Sequence, residues 1–165
     1  MVIYYTRIDK YWDDWEVGDK VITQGLTITE SHIVNWASLS GDWFPLHMDE
    51  EFARDSLTGA RIAHGPMIFS LTTGLSLRSE LGRSVAIAFL GLDRMRIITP
   101  VKPGDTIHCE VEVKEMKECR QKDRGIQSLL YHVKNQKGEL VMEFELTVML
   151  RRRSRLTGDK EEEKT

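Results

Sequence analysis

Two cysteines in 165 residues, Cys109 and Cys119, cannot build a disulfide framework, and no zinc-type spacing accompanies them. They fall with even spacing in one expected strand region. That marks them as small apolar fillers of a reduced protein, and the expected location is the cytoplasm. No run approaches the roughly 20 apolar residues of a membrane-spanning helix, and the opening MVIYYTRIDKYWDDWEVGDK lacks the basic-then-apolar order of a signal peptide. A large excess of either charge is lacking too, with 23 Lys and Arg against 26 Asp and Glu. A net charge of -3 excludes a general nucleic-acid binder, although a nucleotide-bearing substrate needs only a local basic patch. Internal repeats, a Gly-rich phosphate loop and a Ser-His-Asp order are all missing. What remains, at 41% hydrophobic and 30% charged residues, is one domain with a proper core.

The chain places chemistry in one stretch, SGDWFPLHMD, from Ser40 to Asp49. Gly41 permits a sharp turn before Asp42. Pro45 fixes its own φ and holds Phe44 extended, so few soft dihedrals lie between Asp42 and His47. A carboxylate and an imidazole aimed at one water form an acid/base pair. Read structurally instead, Asp42 closes an Asx turn and His47 is a solvated loop residue. Downstream, RIAHGPMIFSLTT opens a long apolar stretch with Gly65 and Pro66 at a helix start, whose unpaired N–H groups suit a developing oxyanion.

These two pieces resemble the MaoC-like (R)-specific enoyl-CoA hydratase/dehydratase family, whose motif GDxNPLH, then Asp, is followed by a HG that opens the central helix of a hot-dog fold. This chain has GDWFPLHMD and AHGPM, and the resemblance runs on through FLGLDRMRIITPVKPGDTIHCEVEV, from Val17 to Leu150. Where the family has Asn, this chain has Phe44. The resemblance implies an α+β hot-dog fold, an antiparallel β-sheet wrapped around a long central α-helix. It implies water addition to a trans-2-enoyl-CoA to give a (3R)-3-hydroxyacyl-CoA, with Asp42 and His47 catalytic, the Gly65 N–H at the oxyanion, and no cofactor or metal beyond the coenzyme A of the substrate. A homodimer or higher oligomer is expected, because a sheet wrapped on one helix leaves edges and an apolar outer face. Two other readings stay open. One is a hot-dog acyl-CoA thioesterase; the other is a non-catalytic acyl-CoA-binding subunit, which Phe44 favours.

Around this centre the expected organisation is an N-terminal arm over residues 1–16, the hot-dog domain over 17–151 and a charged, disordered tail over 152–165. Tyr4, Tyr5, Tyr11, Trp12 and Trp15 suit an arm laid over the core. Thr29 caps a helix that buries Ile33, Trp36, Ala37 and Ser40, with His32 on the surface. Asp49 caps a second, with Phe52 and Ala53 inward. The central helix is expected over Pro66–Leu81, apolar on most sides. Ser70 and Thr73 on it either bond back to the preceding turn or, for Thr73, touch the substrate or Asp42. Strands are expected over Ser84–Ile98, Thr106–Glu118, Gly125–Asn135 and Glu139–Arg151, joined by PVKPGD, KDRG and QKGE turns. Arg94, Arg96 and Lys102 are candidates for coenzyme A phosphates, or else members of a solvated strand face.

Overall fold

Alternation decides the second half of the chain. Thr106–Glu118 (β4), Arg124–Lys134 (β5) and Leu140–Arg151 (β6) each turn successive side chains to opposite faces, and Ile107, Cys109, Val111 and Val113 of β4 are buried on one of them. The computed structural model describes residues 10–79 and 85–153. The expected ends of the arm (1–9) and of the tail (154–165), and the expected helix stop and strand start across 80–84, lie outside the described residues.

Two short strands, Lys20–Ile22 (β1) and Leu26–Thr27 (β2), come first and both pair with β4. With Ala86–Ile97 (β3) the antiparallel sheet runs in the order β1-β4-β5-β6-β3, so β3 forms an edge. Against the sheet lies the central helix, Gly65–Arg78 (α4), which buries Met67, Ile68, Thr72, Leu75 and Ser76. Phe69 meets Phe144 of β6 edge-on at 5.1 Å, and Phe144 stacks on Tyr131 of β5 at 4.5 Å. An antiparallel sheet curled around one apolar helix is the hot-dog arrangement, and the fold is α+β. Hydroxyls inside α4 are satisfied by the preceding turn: Thr72 donates to the Ile68 carbonyl and Ser76 to that of Thr72.

Three shorter helices carry the chain between β2 and α4. Glu30–Ser40 (α1) buries Ile33 and Ala37, while Trp36 is only half-buried and Ser40 is exposed. His32 helps close the helix start, accepting the Thr29 N–H at 3.0 Å. Pro45–Met48 (α2) is one turn with Pro at its first position. Glu50–Arg54 (α3) is capped by Asp49, whose carboxylate accepts from Glu51 and Phe52. Phe52 corrects one expectation: Ala53 fills the inward position, and Phe52 is 47% exposed because it turns to meet Phe44 edge-on.

The arm is held by a close approach. Trp12 lies flat against Gly125 of β5, where a Cβ would come within 2.4 Å of the indole, and its Nε1 donates to the Ile126 carbonyl at 3.0 Å. Trp15 is buried in the core. Arg152 and Arg153, at the head of the expected tail, pair with Asp13 and Asp14. Cys109 is buried in β4, which pushes its thiol up to about 11, and Cys119 follows the strand; both are free. Among the described residues no helix is long and apolar enough to cross a membrane.

Candidate active site

A left-handed glycine starts the site. Gly41 has φ 77 and ends α1 by donating its N–H to the Ala37 carbonyl at 2.9 Å, which throws the chain out of the helix at Asp42. The Asp42 carboxylate accepts the Phe44 N–H at 3.3 Å, so the Asx turn exists, but the residue is otherwise exposed. Phe44 is extended at φ -56, ψ 132, as the following Pro45 requires, and Pro45 opens the single turn that carries His47.

The Ile62 carbonyl lies 2.8 Å from His47 Nδ1. A carbonyl only accepts, so Nδ1 carries the hydrogen and Nε2 is left for the open side. The neighbouring Leu46 carbonyl accepts the Ile62 N–H at 3.3 Å, so this turn and the strand-like entry to α4 are tied at two adjacent points. Arg61 adds a third tie: its guanidinium spans Glu30 on α1 and Glu50 on α3, with contacts of 2.7 to 3.0 Å. Together these bonds fix three chain segments that have little sheet of their own.

His64 occupies the centre of this arrangement. It is the residue before α4 and is 1% exposed. Its Nε2 donates to the Asp42 carbonyl at 2.9 Å, and its ring stacks on that of His47 at 3.8 Å. Burial pushes its imidazole below the ordinary histidine range; the bond to Asp42 opposes this less strongly. A neutral His64 can therefore lie against His47 without charge repulsion. The sequence reading passed over it, since only its place in front of Gly65 marked it.

Ligand atoms of Asp42, His47 and His64 all fall within 4.8 Å of one another. Separations of that order admit one water between two of them. Each imidazole has one ring nitrogen engaged by a backbone carbonyl, which leaves Nε2 of His47 and Nδ1 of His64 as the remaining ligand atoms.

His47 and Gly65 open onto a cavity of about 320 Å³ whose other walls include Ile68, Ile97 and Met142. Gly65 and Met67 head α4, where N–H groups have no acceptor within the helix. Gly65 is also a steric choice: a Cβ there would sit 2.2 Å from Ile97 Cδ1, so the larger residue would push β3 or its side chain away. Phe44 is not on this wall; it is 52% exposed and stands edge-on to His47 at 6.1 Å. Thr73 donates back to the Ser70 carbonyl at 2.8 Å and lines a second cavity further along α4. Of the basic candidates, Arg94 pairs with Glu145, Lys102 donates to the Thr58 carbonyl and Arg96 is exposed.

A sequence profile of the MaoC like domain matches residues 14–134. The chain belongs to the MaoC-like dehydratase family. Among MaoC-like relatives, protein MaoC of Klebsiella aerogenes is 42% identical over 105 residues, 64% of this chain; the match spans only 31% of that longer protein. The (R)-specific enoyl-CoA hydratase of Aeromonas caviae is 33% identical over 120 residues, covering 73% of this chain and 84% of the enzyme. A solved MaoC-like relative, a monoamine oxidase regulatory protein from Archaeoglobus fulgius, aligns with a TM-score of 0.81 at 34% identity, covering 87% of this chain and 95% of that one.

Proposed function

We propose that the protein adds water reversibly to a trans-2-enoyl-CoA to give a (3R)-3-hydroxyacyl-CoA, the activity named for the Aeromonas caviae relative. The observation that carries this reading is the placing of Asp42 and His47 within 4.8 Å of each other, with His47 and the α4 N-terminus on one cavity. A water held between them loses a proton to the Asp42 carboxylate as its oxygen bonds to C3. The C2–C3 π electrons move towards the thioester, and C2 takes a proton from the Nε2 of protonated His47. Proton transfer from Asp42 to His47 through the next water restores the pair, so one water is consumed and nothing else. Each acid/base role is worth roughly 100-fold to 10,000-fold. Charge growing on the thioester oxygen is met by the Gly65 N–H and the positive end of α4, worth about 100-fold to 1,000-fold. The thioester itself makes C3 electrophilic, and no cofactor or metal enters the step.

Incubation with crotonyl-CoA, following enoyl absorbance and free thiol together, tests the reading. Hydration consumes the enoyl signal without releasing thiol. Thiol release would make the protein a thioesterase, and no change in either would make it a binding subunit. Phe44 sharpens the last case, since it stands beside His47 with no polar atom to offer. If Phe44→Asn creates hydration where the natural protein has none, the natural site is a binding site. The working unit proposed is a homodimer in the cytoplasm, supported by the apolar side chains exposed along β3 and by two free cysteines.

A further inference from the structure

Among the described residues, two buried side-chain N–H donors have no hydrogen-bond partner, Trp15 Nε1 and Gln127 Nε2, and both side chains line the same cavity. Trp15 is 5% exposed and Gln127 1%. The cavity holds about 280 Å³ between α4 and the sheet, and its remaining wall is mostly apolar, with Phe89, Leu129 and Leu146 prominent. Its three hydroxyls are already engaged: Thr73 donates to the Ser70 carbonyl, Ser76 to the Thr72 carbonyl, and Tyr131 is hydrogen-bonded to Ser76. Unpaired buried donors are rare because leaving one without an acceptor costs stability, and none of the chamber's few oxygens reaches these two. An occupant with an apolar body and an accepting oxygen satisfies both features. Among the described residues no charged side chain lines the chamber, which suits a neutral oxygen; a carboxylate would find no compensating charge among them.

The chamber lies along the seam that begins at His47. Gly65, Ile97 and Met142 bound the cavity at the acid/base pair; Ser76, Phe89 and Leu146, from the same three elements, bound this one. From Gly65 to Thr73 and Ser76 is about 12 to 16 Å along α4 at 1.5 Å per residue. An acyl group reacting at His47 and running down the seam brings its far end here.

Resting on the hydratase reading above, we infer that this second cavity receives the distal end of a long acyl chain and selects chains carrying a neutral oxygen there, a hydroxyl, keto or ether group held by Gln127 and Trp15. The chemistry at C2 and C3 is unchanged by this; what changes is which tails are admitted.

The test compares trans-2-dodecenoyl-CoA with its ω-hydroxy counterpart on the full chain. The kcat/KM ratio should favour the hydroxylated tail by about tenfold or more, since a site built to bond an oxygen discriminates against its absence. In Gln127→Leu and in Trp15→Phe the ratio should fall towards one, and the second variant serves if the first does not fold. Calorimetry with the saturated, unreactive pair, dodecanoyl-CoA and ω-hydroxydodecanoyl-CoA, reads the same preference without turnover. If no enoyl-CoA is hydrated yet the hydroxylated tail binds more tightly, the chamber stands and the hydratase reading falls. If the natural protein binds and turns over both tails equally, or either folded variant keeps the preference, the chamber proposal is overturned.

Discussion

β5 and β3 flank β6 on opposite sides, and they use their apolar residues in opposite ways. Every second residue of β5 is buried, from Gly125 to Val133, and its ladder with β6 keeps register until a single shift beside Lys134. In β3 no residue is fully buried, the ladder with the same β6 shifts three times, and Arg94 takes a positive φ of 52 inside one of those shifts. Yet β3 is the more apolar strand, and Ile87, Phe89, Leu90 and Ile97 are 41 to 59% exposed. The difference lies in neighbours. β5 has a strand on either side and the core beneath, so alternation satisfies it within one chain. Among the described residues β3 has one strand neighbour and carries apolar groups that none of them covers, which is what supports the homodimer proposed above.

The comparison breaks most visibly on stability. Tyr131→Ala on β5 removes a ring that is 2% exposed and stacked on Phe144, and it should cost about 3 to 5 kcal/mol in a denaturant titration. Phe89→Ala on β3 should cost the folded chain under about 0.5 kcal/mol. Equal losses would mean that β3 belongs to the core after all.

Next comes activity, which belongs to the β3 side, where Ile97 closes the His47 cavity. His47→Gln and Asp42→Asn should each lower enoyl-CoA hydration at least about 100-fold with the melting temperature kept, a barrier increase of about 2.7 kcal/mol. On the β5 side, Gly125→Ala forces a Cβ into the Trp12 ring and should cost about 1 to 3 kcal/mol by thermal melting, with no change in kcat. Phe89→Asp should shift sedimentation from dimer to monomer. A natural protein that sediments as a 19.1 kDa monomer at micromolar concentration would remove the reason for β3's exposed side chains.

The smallest effect is a pH slope. His64 titrates below its ordinary value of 6.5 in the folded chain, chiefly through burial, so the unfolded chain holds the proton more readily. Stability should therefore fall as pH drops from about 6.5 towards the lowered folded value, and this group contributes no slope above about 6.5. His64→Asn should flatten that segment in a pH series of denaturant midpoints; an unchanged slope would assign it to another group.

Sequence made the β5 side almost wholly legible, because alternation is a local property and the turns around Gly104 and Gly138, both at positive φ, carry their own chemistry. Asp42, His47 and Gly65 could also be picked out, since Gly41 and Pro45 announce where the backbone must bend. What escaped was set by contacts between distant residues. Nothing in the spacing says that His64 reaches back to the Asp42 carbonyl, or that Ile97 presses on Gly65. Phe52 turned outward because Phe44 was there to meet it. Thr73 left two readings open, and both concern its surroundings: its hydroxyl bonds back along α4 while its side chain faces the distant chamber.

The pairing of Arg152 with Asp13 at 2.7 Å, and of the Arg153 N–H with the same carboxylate at 2.8 Å, joins positions 139 and 140 residues apart in sequence. The domain is thus a ring lacking one covalent link. Closed with a short linker between residues 153 and 10 and opened at the exposed turn around Gln121 and Lys122, it would keep every strand pair described above. Such a permuted chain would make β5 its first strand and β4 its last. The fold would be the same, but the β5–β6 hairpin would leave the ribosome ahead of the site-bearing helices instead of after them.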